Sequence, residues 1–101
     1  MLGLHDELRT WGWDGASPDK AALTALLESD VLRRLTLAVR GGHDEAIRRQ
    51  AHLLMDQAAV LGLNPVWAQA YPLSRGACAP ESGLRALYRT LRQLRDILNR
   101  Y

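Results

Sequence analysis

The stretch from Asp44 to Leu63, read as DEAIRRQAHLLMDQAAVLGL, holds the side chains best suited to chemistry, with His52 near its middle. A histidine ring nitrogen is nucleophilic when neutral and can carry a proton or a phosphoryl group near pH 7. Whether His52 can do so depends on the direction it faces. Ile47, Ala51, Leu54, Ala58 and Leu61 recur at spacings of four and three. At 100° per residue they fall within about 40° of one line, the pattern of a helix face turned to a core. On the same wheel His52 lies about 140° from that stripe, at solvent or at a groove edge. Arg48, Met55, Asp56 and Ala59 stand three, four or seven residues away and form one patch around the imidazole. Asp56, one helical turn on, is placed to hydrogen-bond the ring and favour its protonated, non-nucleophilic form.

The other candidates carry less. His5 and His43 have no third ligand at metal-site spacing, so no metal centre is expected. Cys78, the lone cysteine, lies in a loop between Pro72 and Pro80 without a nearby histidine or helix start to activate it, and reads as an inert thiol. With no phenylalanine in the chain, Trp11, Trp13 and Trp67 are expected to be core anchors. The arginines of the C-terminal segment read as a solvated face with the option of a basic contact surface.

Helices must position these residues. Leucine and alanine dominate and β-branched residues are few, which favours an all-α fold. Leu4, Leu8 and Trp11 predict a short first helix ending at Gly12. Ser17 and Pro18 then offer a cap and a first-turn proline, and Leu23, Leu27, Val31, Leu35 and Ala38 or Val39 extend one stripe, predicting a long helix from Pro18 to Arg40. The third helix runs from an Asp44 cap to Gly62. A fourth starts at Asn64-Pro65 and kinks or ends near Tyr71, because Pro72 lacks a donor and crowds the preceding turn. Ser74 to Gly83 reads as a loop. In the last helix Leu84, Leu87, Leu91, Leu94, Leu98 and Tyr101 face inward. Short connections make neighbours antiparallel, so the expected architecture is an up-and-down four-helix bundle with a short extra N-terminal helix, forming one domain over residues 1–101.

The chain has 101 residues, 48% hydrophobic and 24% charged, enough for one modest core and too few for two. Its net charge of +2 is divided between residues 1–56 at −2 and residues 57–101 at +4, too mild to imply a nucleic-acid or acidic-membrane partner. The lone cysteine fits a reducing, cytoplasmic setting, and no apolar run approaches the roughly 20 residues of a membrane span.

The run Ala51-His52-Leu53-Leu54, followed by Ala58, Leu61 and Gly62, resembles the phosphoacceptor helix of histidine-containing phosphotransfer (Hpt) domains, which reads Ala-His-x-Leu-Lys-Gly-x-Ala-x-x-Leu-Gly. A Gly-rich turn and acidic cap precede it, and an amphipathic helix, polar loop and final helix follow, so the resemblance covers residues 20–98. It implies a phosphoryl carrier rather than a true enzyme, in which His52 passes a phosphoryl group between receiver-domain aspartates. The implied partner is the receiver of a response regulator or hybrid sensor kinase, and no cofactor is implied on this chain. Met55 stands where the family has lysine and Asp56 where it has glycine. The lysine would hold a phosphoryl group by charge, and the glycine leaves room for a receiver rich in carboxylates. A second reading is therefore a degenerate Hpt-like module whose Arg48, Met55, Asp56 and Ala59 bind a signalling partner without phosphotransfer. A third, a small nucleic-acid-binding bundle using Arg85, Arg89, Arg92, Arg95 and Arg100, is opposed by the near-neutral charge and the lack of a docking motif.

Overall fold

Among the described residues two helices start at a side-chain cap and four end at a glycine of positive φ. A computed structural model describes residues 3–101, of which 79% are helical with no strand. The helices are α1 (Leu4–Trp11), α2 (Lys20–Leu27), α3 (Asp30–Gly41), α4 (Asp44–Leu61), α5 (Asn64–Arg75) and α6 (Pro80–Asn99).

The single helix expected over Pro18 to Arg40 is two. Ser29 adopts extended backbone angles and its hydroxyl accepts from the Val31 amide at 3.2 Å, starting α3 afresh. The same hydroxyl donates to Gln57 Oε1 on α4 at 3.3 Å, which ties the break to a neighbouring helix. The cap of α2 is likewise Asp19, whose carboxylate accepts from the Ala22 amide at 3.1 Å, in place of Ser17. The break re-phases the stripe: Leu26 is buried with Leu23, Leu35 and Val39, while Leu27 is only half-buried. A continuous helix could not bury both Leu26 and Leu32 on one line, since a step of six positions turns it through about 240°.

Proline 72 does not end α5. The helix continues through it to Arg75 and closes at Gly76, whose φ of 65° is left-handed, with the Ala77 amide donating to the Pro72 carbonyl at 2.9 Å. An interior proline costs about 3 kcal/mol. Two features offset it here: Ala68, whose carbonyl loses its donor, lies on the exposed side, and Leu73 beyond the proline is buried to the same depth as the rest of the core. Full burial of a leucine contributes roughly 1.5–3 kcal/mol. The loop expected over 74–83 accordingly shrinks to residues 76–79, and Pro80 opens α6 at a first-turn position.

Buried side chains from all six helices form one hydrophobic core, with Ile47, Leu54, Leu87, Leu91 and Leu94 at its centre. Leu61 and Leu84 lie half-buried at its edge, and Tyr101 lies outside it. Past the end of α6, the Tyr101 hydroxyl donates to Glu7 at 2.8 Å and Arg100 pairs with the same carboxylate, fastening the C-terminus to α1. Of the three tryptophans only Trp13 is a true core residue, its indole N–H donating to the Leu61 carbonyl at 3.0 Å; Trp11 is half-buried and Trp67 is exposed. Beside Trp13, the Asp14 amide donates to the Gly62 carbonyl at 2.8 Å, and an isolated bridge pairs Trp13 with Leu63. Gly62 is required at this crossing, since its φ is 71° and a Cβ would lie 2.6 Å from the Asp14 carbonyl oxygen. In this arrangement α4 packs between α3 and α5, α5 packs on α6, and α6 returns to α1, α2 and α3.

Candidate functional site

The exposed side of α4 is the candidate site, and its direction follows from what the helix buries. Ala51, Leu54 and Ala58 are fully buried, so His52, one residue past Ala51, is turned outward with 66% of its side chain exposed. Asp56 follows one turn later with equal exposure, its Oδ2 3.9 Å from His52 Nε2. That separation exceeds hydrogen-bond reach, so the carboxylate acts on the ring through charge and leaves its nitrogens open to solvent. No side chain hydrogen-bonds the ring among the described residues.

Arg48, one turn before His52, is exposed, and its guanidinium extends toward α5. It lies against the end of α5, so that a Cβ on Gly76 would meet Nη2 at 2.9 Å. The carbonyls of a helix C-terminus carry partial negative charge, which favours a guanidinium nearby. Ala59 is exposed on the same side.

Met55 departs from the sequence expectation. It retains 7% of its surface and belongs to the core, so it is no part of an adaptable contact patch. The cause is the packing of α5: the core on α4 is widened toward that helix, and a residue about 100° round from Leu54 is covered. The patch that a partner can reach is therefore His52 and Asp56, flanked by Arg48 and Ala59, with the exposed aliphatic side chains of Leu53 and Val60 farther round the same helix.

One feature of this hairpin went unread in the sequence. Trp67 and Tyr71 on α5 stack with ring centroids 5.2 Å apart at 21°, both partly exposed. Their spacing of four residues is the signal in the sequence, since side chains one turn apart on a helix meet; Trp67 is thus a surface residue and not the core anchor expected from the shortage of aromatics. His5 and His43 stand apart from this face. His5 accepts from Arg9 Nε at 3.2 Å and sits edge-on to Trp13, a support of the N-terminal crossing. Among the described residues no three His, Cys, Asp or Glu side chains converge as metal ligands, and no helix is long and apolar enough to cross a membrane. Comparison of the chain with protein-family models, with curated proteins and with solved structures finds no match.

Proposed function

We propose that this chain is an Hpt-like domain of a two-component phosphorelay, which presents His52 to the receiver domain of a response regulator or hybrid kinase in the cytoplasm. In this reading α3, α4, α5 and α6 are the up-and-down four-helix bundle, supported by the successive packing of neighbours and the return of α6 to α3. The short helices α1 and α2 are additions that buttress it.

The observation that carries the reading is the contrast within one motif: Ala51, Leu54 and Ala58 are wholly buried while the His52 ring between them stands exposed. An open imidazole on a rigid helix suits a reaction whose machinery lies on the other partner. A ring nitrogen attacks the phosphorus of a receiver aspartyl phosphate, a P–N bond forms, and the P–O bond to the aspartate breaks, returning a free carboxylate. The chain contributes position and access and remains a carrier rather than an enzyme.

Asp56 favours a second reading. A carboxylate 3.9 Å from the acceptor opposes both a bound phosphoryl group and the acidic pocket of a receiver, as expected of a module that binds without accepting phosphate. One experiment separates the two. The chain is incubated with a receiver phosphorylated by acetyl phosphate, and acid-labile, base-stable phosphate is measured on the wild type and on His52→Gln. Transfer to wild type alone supports the carrier. Binding of the receiver without transfer establishes the binding module, and the absence of both overturns the Hpt reading.

A further inference from the structure

We propose that the face between α3 and α6, closed at one end by α2, is a docking groove for an acidic amphipathic helical segment of a partner protein. The inference goes beyond the phosphotransfer reading and does not depend on it, because no residue of α4 lines the groove. Two adjoining depressions of 350 and 130 Å³ share Leu27, Leu32 and Tyr88 as a common floor. Arg33 and Arg40 rim the first, and Arg92 and Arg95 the second. Tyr88 is fixed across the groove by a 2.6 Å hydrogen bond between its hydroxyl and that of Thr36. Leu37, beside it, is left 57% exposed.

The occupant follows from charge and shape together. Of the four arginines only Arg33 has an ion pair among the described residues, with Asp30 at 3.5 Å, and that pair is exposed on the surface. Arg40, Arg92 and Arg95 have none, and Glu28 is the one acid lining either depression. Guanidinium groups around an apolar floor match a helix that carries leucines at spacings of three and four on one face and carboxylates on its flanks. From Ser29 to Arg40 the α3 wall is about 16 Å long, room for roughly three turns of such a helix. A nucleic acid would use the arginines, but it has no aliphatic side chains to cover Leu27 and Leu37.

The test is selection of displayed random peptides, about twelve residues long to match the groove, on the full chain. Enriched sequences should be net acidic with leucine or aromatic residues at spacings of three and four. A synthetic peptide of the leading sequence should then lose affinity about tenfold or more against the Arg40→Glu/Arg92→Glu variant, and comparably against Leu37→Asp. All substituted positions are exposed, and unchanged helical circular dichroism would establish that the fold is intact. The peptide should bind His52→Gln as it binds wild type, which separates this surface from the phosphoacceptor face. No enrichment, enrichment without acidic bias, or equal binding to the charge-reversed variant would overturn the proposal. So would a single-stranded oligonucleotide that binds more tightly and displaces the peptide, which would make the groove a nucleic-acid surface.

Discussion

Replacing Asp56 with asparagine should raise phosphate acceptance by His52, and the structure sets the size of the effect. Asp56 Oδ2 lies 3.9 Å from Nε2, and a phosphoryl group on that nitrogen would bring its oxygens to a similar distance from the carboxylate. Two unit charges about 4 Å apart in bulk water interact by ~1 kcal/mol, and a phosphoryl group carries ~1.5–2 negative charges, so the unscreened repulsion is ~2 kcal/mol. Both side chains are two-thirds exposed, and exposed pairs measure well below their nominal value, which brings the expected gain to ~1 kcal/mol or roughly fivefold in phosphorylated fraction. Asparagine keeps the shape and avoids the backbone freedom that glycine would add within the helix. The assay is the equilibrium occupancy of acid-labile phosphate after mixing with a phosphorylated receiver, repeated at rising salt. The gain should shrink as ionic strength rises, because the repulsion is solvent-exposed. If Asp56→Asn accepts no more phosphate than wild type while His52→Gln accepts none, the carboxylate is not the obstacle argued here. The companion departure behaves differently: Met55 is buried, so Met55→Lys should first lower stability, by about 2 kcal/mol or more, before it can help any phosphoryl group.

Ser29→Ala removes the cap that starts α3 and its bond to Gln57, so thermal unfolding should show a loss of about 1–2 kcal/mol; an unchanged midpoint would mean the break is set elsewhere. Gln50 Oε1 is buried without a hydrogen-bond partner, so Gln50→Met should be neutral or stabilising by up to about 1 kcal/mol in urea titration, and a clear destabilisation would reveal a missed partner. The Tyr101 hydroxyl donates to Glu7, whose carboxylate raises the phenol above its usual value of 10.0. The bond thus strengthens the fold fully below about pH 10 and is lost as pH rises through the raised value. Tyr101→Phe should therefore be less stable than wild type at neutral pH and converge on it in strong alkali, as followed by denaturant titration against pH.

Periodicity made the helices and the direction of His52 legible, because a stripe at spacings of three and four reports which side of a helix is covered whatever covers it. It failed where two signals competed. Leu23, Leu27, Val31 and Leu35 make a plausible single stripe, yet Ser29-Asp30 inside it is also a cap followed by a first-turn acid. The cap won because Gln57 on a distant segment completes it. The same holds for Pro72, where a local penalty of about 3 kcal/mol is largely offset by burial of Leu73 that no local window contains. Met55 was misplaced for the complementary reason: its angle on the helix was read correctly, but how far round α4 the cover of α5 reaches is a property of the neighbour. Residues deep in a stripe or opposite to it can thus be assigned from sequence alone. Those about 100° from its centre depend on the adjacent helix, and on α4 that margin separates the buried Met55 from the exposed ring of His52.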